Sequence, residues 1–339
     1  MKLKHSSSYC VACVCDGHYG KRAAHFAARH LPKRVFDELS AEAPKQGFLR
    51  GLMEHASISG RSSSRSTLAS SVDSVSLPSR DSGAPPAESL PALLSRCYHD
   101  VDAAWLSYAR AQQPQQPDGT TALLLLLDKR AGLCTVANAG DSRGVAAVSG
   151  SAHVLSRDHN GKSDAERARI EALPGGDISI GGRVRGKLAV TRAIGDLPYK
   201  EGACEVICEP EVQSIAISEA LHFVILACDG VWDKFSSVDA VKFVQRSLAS
   251  DGGSAERAAR ELAQAALDRG SEDNVSITLL VFEHTCDGGV LPPPDMPPDS
   301  DSENAGSDME EGSLDSRRRG TAPPPLDVSD GAAPRPRQV

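Results

Sequence analysis

The chain has 339 residues, 40% hydrophobic and 24% charged, enough to bury one large core or two modest ones. A formal net charge of -8, a pI near 5.7 and the lack of any long stretch concentrating Lys and Arg argue against a nucleic-acid or membrane-surface partner. The opening MKLKHSSSYC lacks a signal peptide's apolar core and the longest apolar run, ALLLLL at 122–127, is too short for a membrane span, so the chain reads as intracellular, cytoplasmic or nuclear.

In chain order, an apolar run ends abruptly in CVCDGHYG at 13–20, and a helical pattern follows. From Gly20 to about Ala43 the spacing of Ala24, Phe26, Ala27, Leu31, Val35, Phe36 and Leu39 predicts an amphipathic helix, broken or restarted at Pro32. Residues 56–86 are Ser-rich, contain Pro and lack aromatics, a composition that predicts a mobile insertion. Glu88 to Ala111 resumes helical periodicity through Leu90, Leu93, Leu94, Val101, Ala104, Trp105 and Tyr108. Short apolar runs then alternate with Gly, Asp, Asn and Ser: ALLLLLD, LCTVANAG, GVAAVSG and AHVLSRD read as closely spaced antiparallel strands. DAERARIEAL reads as a short charged helix and HFVILACDG as a buried strand; VDAVKFVQRSLA and AERAARELAQAALDRG read as helices and NVSITLLVFE as a closing strand. The expected division is one folded domain over 1–284 and a disordered acidic, Pro-rich tail over 285–339. Because strand and helix do not strictly alternate, the order favours an α+β antiparallel sandwich with helices packed outside over a doubly wound parallel sheet.

Carboxylates recur beside glycines at the ends of apolar runs: Asp16-Gly17, Gly140-Asp141, Gly195-Asp196 and Asp229-Gly230, with Asp233 four residues beyond Asp229 and Asp273 before the last strand. Any one such pair is an ordinary turn. As a set delivered to one rim, they would repel unless a cation held them, and carboxylate, carbonyl and water oxygens suit a hard divalent ion. His18, two residues from Asp16, is placed to protonate a leaving group. Other chemistries fit less well. GGRVRGKL at 181–188 has Leu188 where a P-loop needs Ser or Thr, Cys10-x-x-Cys13 has no second ligand pair nearby, and nine scattered cysteines suit reduced thiols better than a disulfide framework.

The ordered set DGHYG, DGTTA, ANAGDSRGV, LSRDHN, GGRVRGKLAVTRAIGD, LACDGVWD and GSEDNVS resembles the type 2C metal-dependent Ser/Thr protein phosphatases, the PPM family, over roughly residues 9–283. That resemblance implies a two-sheet antiparallel β-sandwich flanked by helix pairs, with two Mg2+ or Mn2+ ions in a cleft at one edge. It implies that Asp16 bridges both metals, that the Gly17 carbonyl binds one, and that Asp229 and Asp273 hold the other. Asp141 and Asp233 match positions that, with Asp229, bind a third, looser metal in some members, and His18 matches the proposed general acid. The implied reaction is hydrolysis of phosphoserine and phosphothreonine in phosphoprotein substrates by a metal-activated water, in a monomer with no nucleic-acid or membrane partner.

Family members carry an Arg and a Met-Glu-Asp stretch upstream of the DGH strand, whereas here only MKLKHSSS precedes Tyr9. The expectation is therefore an N-terminally shortened form lacking the phosphate arginine, one metal ligand and the first strand or strands, with an exposed sheet edge. It also raises the alternative of a noncatalytic, phosphatase-like binding module. Tyr19 stands where glycine is commonest.

Overall fold

The structure is a computed structural model that describes residues 4–5, 8–42, 88–283, 285–286 and 289–290, within the unit Met1–Pro294. The Ser-rich segment 56–86 and all but two short strands of the segment 285–339 lie outside the described residues. The chain begins with β1 (Lys4–His5), β2 (Tyr9–Val14), β3 (Gly17–His18) and the helix α1 (Arg22–Glu42). Helix α2 (Leu90–Ala111) precedes the strands β4 (Gly119–Thr120), β5 (Ala122–Asp128), β6 (Leu133–Ala139), β7 (Arg143–Val148) and β8 (Ser151–Val154). After α3 (Asp164–Glu171) come β9 (Ile194–Gly195), α4 (Leu197–Lys200), β10 (Glu211–Ala216) and β11 (Leu221–Ala227). The helices α5 (Asp229–Trp232), α6 (Ser237–Ala249) and α7 (Ala255–Asp268) lead to β12 (Ile277–Val281) and a hairpin of β13 (Thr285–Cys286) and β14 (Gly289–Val290).

Two antiparallel sheets form, in the orders β1-β2-β5-β6-β10 and β12-β11-β7-β8, joined by a small sheet β3-β4-β9. The run ALLLLLD shows why they stack. Successive side chains of a strand point to opposite faces. Leu123, Leu125 and Leu127 meet Val224 and Leu226 between the sheets, while Leu124 and Leu126 pack under Leu31, Leu93 and Leu94 of α1 and α2. A strand buried on both faces reads as a continuous apolar run rather than an alternation. On the far side, Phe223 and Ile225 of β11 lie beneath Val241, Val244 and Leu262 of α6 and α7. The result is the expected sandwich with helix pairs outside.

Three expectations change. Helix α1 runs through Pro32 without restarting. A proline inside a helix costs about 3 kcal/mol; here Ala27, Leu31, Val35 and Leu39, at most 2% exposed, bury one helix face on the sheet and outweigh that loss. The edge of β2 is covered in part, since Lys4–His5 pairs antiparallel with Cys10 and Val11. Strand β10 was not anticipated: EVQSIA is only partly buried and mixes three polar with three apolar residues, so the ladder with β6, not apolar periodicity, defines it.

A separate small core of Ile170, Val184, Leu188, Val190, Ala193, Tyr199 and Val206 orders the long segment between β8 and β10. Glu166, 3% exposed, fixes it through Arg192, Arg169 and the Thr191 hydroxyl. Arg169 also donates to the Thr191 and Glu205 carbonyls.

Candidate metal centre

The central strands end at one rim, and chain direction brings their carboxylates there. Asp16 follows β2, Asp141 follows β6, and Asp229 follows β11 as the first residue of α5. The threonines of DGTTA fasten the first of these. Thr121 N–H and Thr120 Oγ1 both donate to the Asp16 carbonyl, at 2.8 and 2.9 Å, and the Asp16 N–H donates to Thr121 Oγ1 at 3.1 Å. Thr121 Oγ1 also lies 2.8 Å from Ser142 Oγ, next to Asp141, so one residue ties two acid-bearing turns together.

Ligand atoms of Asp16, Asp229 and Cys228 all lie within 4.8 Å of one another. Burial, then the Asp229 carboxylate, then Asp273 and Asp141 push the Asp16 carboxyl up to about 7. Asp141 is pushed to about 7 by burial, Asp229 and Asp158. Asp229 is also raised, by burial and by the charges of Asp273 and Asp233. Asp273 and Asp233 are exposed and act on the cluster through charge, Asp273 reaching both Asp16 and Asp229. Gly17 lies at the exposed turn beside Asp16, with β3 pairing it to Thr120. Thus Asp16 and Asp229 meet beside Cys228, Asp141, Asp273 and Asp233 act on them through charge, and Gly17 adjoins Asp16.

This donor set fits a hard divalent cation. Asp229 Oδ1 is buried and makes no hydrogen bond, which costs free energy unless a cation or proton fills its place. The raised carboxyls have the same meaning: clustered acids hold protons that a cation would replace. A stability consequence follows with a definite sign. Between the ordinary value of 3.8 and about 7, folded Asp16 and Asp141 retain protons that the unfolded chain has released. The metal-free protein should therefore lose thermal stability as pH rises through that window and be least stable above it, and Mn2+ should restore most stability at the alkaline end. Melting curves in chelator and in Mn2+ across that range check both slopes; a metal-free curve rising with pH would contradict the assignment.

His18 is held from behind. Its Nε2 lies 2.7 Å from both oxygens of Asp196, a carboxylate with no solvent exposure. Burial opposes the imidazolium, but the Asp196 hydrogen bond and charge, aided by Asp141 and Asp16, carry the His18 pKa above its ordinary 6.5. Asp196 itself is fixed by its N–H donating to the Asp118 carbonyl at 3.1 Å. The preceding Gly195 N–H donates to Asp102, which pairs with Lys200 out of solvent. Asp118 also caps α1, accepting the Arg22 N–H at 3.1 Å. Tyr19, at φ 56°, sets its hydroxyl 3.2 Å from that of Tyr199 and its ring edge-on to His18.

Gly119 is obligatory for this arrangement, because a Cβ there would sit 2.2 Å from an Asp196 carboxylate oxygen. Gly119→Ala should cost about 1–3 kcal/mol of stability by overpacking and displace His18 with Asp196; denaturant unfolding and the pH profile of activity report the two effects. Sequence reading counted Gly195-Asp196 among the Asp-Gly pairs without giving it a role, and gave none to Asp118, Thr120, Thr121 or Cys228. The signal for the threonines was DGTTA itself; the partnership of residues 178 positions apart had none.

The profile of the protein phosphatase 2C family matches residues 79–275. "Probable protein phosphatase 2C 22" of Arabidopsis thaliana is 32% identical over 291 residues, 84% of this chain and 60% of that protein. "Probable protein phosphatase 2C 32" of Oryza sativa subsp. japonica is 30% identical over 273 residues, 80% of this chain and 57% of its own length. The fold is similar to that of a phosphatase from a pathogenic strain of Toxoplasma gondii, with a TM-score of 0.59 at 20% identity, covering 83% of this chain and 88% of that one. A sex-determining protein of C. elegans gives the same TM-score at 26% identity, covering 80% and 56%. The chain belongs to the protein phosphatase 2C family. It spans less than two thirds of the length of both plant relatives, and no helix among its described residues is long and apolar enough to cross a membrane.

Proposed function

We propose that this chain is a metal-dependent phosphatase acting on phosphoserine and phosphothreonine in proteins. The observation that carries the reading is the meeting of Asp16 and Asp229, one buried oxygen of Asp229 unpartnered, at the rim where His18 is anchored. Asp16, the Gly17 carbonyl, Asp229 and Asp273 would hold two Mg2+ or Mn2+ ions, with Asp141 and Asp233 available to a third. Bound there, the ions would supply a water of lowered pKa and neutralise phosphoryl oxygens.

The remaining work falls to the chain itself. Asp196 keeps the His18 imidazolium populated and occupies Nε2, which leaves Nδ1 to give its proton to the serine or threonine oxygen as the P–O bond breaks. The buried threonines hold the Asp16 backbone, so the carboxylate position does not depend on substrate. The Tyr19 ring lies edge-on against His18 and is itself stacked on Tyr199. A noncatalytic module would not need this anchored imidazole.

Hydrolysis of a phosphothreonine peptide by the 339-residue chain, measured with Mn2+ and with chelator, tests the reading. Turnover confined to the Mn2+ arm is expected. Equal turnover in chelator would refute metal dependence, and a folded, Mn2+-binding chain without turnover would refute the enzymatic reading.

A further inference from the structure

Asp229 and Asp273 lie on separate segments, a strand-to-helix turn and the loop before β12, yet must reach one ion in the proposed centre. One buried side chain joins those segments. The Cys228 thiol, 1% exposed, donates to the Asn274 carbonyl at 3.1 Å, and its sulfur accepts the Ser276 N–H at 3.2 Å. The Cys228 N–H donates to the Ser276 carbonyl, also at 3.2 Å. Beside it, Ser271 Oγ donates to the Gly230 carbonyl at 2.7 Å, and a Cβ on Gly230 would stand 2.5 Å from the Asn274 carbonyl oxygen. The Asn274 N–H in turn donates to Asp273 Oδ1 at 2.7 Å. A continuous path of short contacts thus runs from Asp229 through Cys228 and Asn274 to Asp273.

We propose that Cys228 is a positioning residue of the metal centre, its thiol clamping the Asp273 loop to the Asp229 turn and so setting the affinity for the cation these carboxylates share. The proposal rests on the reading that Asp229 and Asp273 hold one ion. The thiol suits this place physically. It both donates and accepts, and its neighbours Ala227, Val231 and Trp232 belong to the core beneath α6 and α7. Loss of either bond would free the loop without removing a carboxylate ligand, the kind of supporting contact whose removal costs about 10–100-fold in metal affinity.

Calorimetric titration of Mn2+ into the metal-free full chain, for wild type and for Cys228→Ser, Cys228→Val and Cys228→Ala, tests the clamp. Serine keeps a donor and an acceptor, valine fills the space without either, and alanine removes both and leaves the space empty. The clamp predicts Kd weakened about 10–100-fold in the valine and alanine variants, with serine recovering most of the loss. A folded valine variant with wild-type Kd overturns it, as does a serine variant as weak as valine. If alanine fails to fold, the serine and valine pair still decides. Wild type that binds no Mn2+ would instead refute the underlying reading of the carboxylates, a result separable from equal affinities across the series.

Discussion

Asp229→Asn should lower phosphopeptide hydrolysis by about 10²–10³-fold while leaving the metal-free protein at least as stable as wild type. The two effects have one cause. Asp229 is held next to Asp16, and the charges of Asp273 and Asp233 add to the repulsion. An amide of the same shape removes that repulsion in the metal-free state and removes an anionic ligand from the metal-bound one. Mn2+ should accordingly raise the melting temperature of wild type far more than that of the variant. A variant that is inactive because it unfolds would fail this prediction, and so would one that remains fully active. Core substitutions behave differently: loss of Leu124 or Leu31, fully buried between sheet and helices, would cost stability with or without metal.

Asp196→Asn should lower turnover by about 10–100-fold at alkaline pH and shift the fall in activity to lower pH. The sign follows from His18. Its pKa stands above 6.5 because Asp196 outweighs burial. The protonated form is therefore lost only as pH rises through that elevated value. Without the carboxylate, burial dominates, the pKa falls, and the proton is gone at a lower pH. Stability moves the same way: the His18–Asp196 pair stabilises fully below the unfolded histidine's pKa, and its contribution disappears as pH rises through the folded one. Asparagine tolerates the left-handed backbone at this position, φ 58°, so the substitution tests charge rather than chain geometry. The pH dependence of kcat for both proteins is the measurement. Superimposable profiles would show that Asp196 does not govern His18.

How much of this was legible beforehand depended on sequence distance. ALLLLLD and HFVILACDG showed their strands because burial on both faces leaves little room for polar residues. Asp16 and Asp229 were marked by an acid breaking an apolar run beside a glycine, a local cost that a local pattern can reveal. Asp196 carries the same dipeptide mark, but its importance comes from meeting His18 across 178 positions, and nothing near Asp196 announces the partner. Cys228 looked like one more small apolar residue ending a strand; only the return of the 271–276 loop gives its sulfur two partners. Pro32 misled in the other direction. Its local penalty is real, and four buried neighbours on α1 override it through packing that the helix alone does not contain. The partly buried strand β10 had no pattern strong enough to register, being completed by its ladder with β6.

The carboxylates of Asp16 and Asp229 are proposed to share a divalent cation. The most direct test is a crystal of the full chain grown with Mn2+, with anomalous scattering recorded for the metal. A manganese peak bound by Asp16 and Asp229 is expected, with the previously unpartnered Oδ1 of Asp229 as a ligand or bonded to a metal-bound water. Saturating Mn2+ with no peak between the two carboxylates would contradict it.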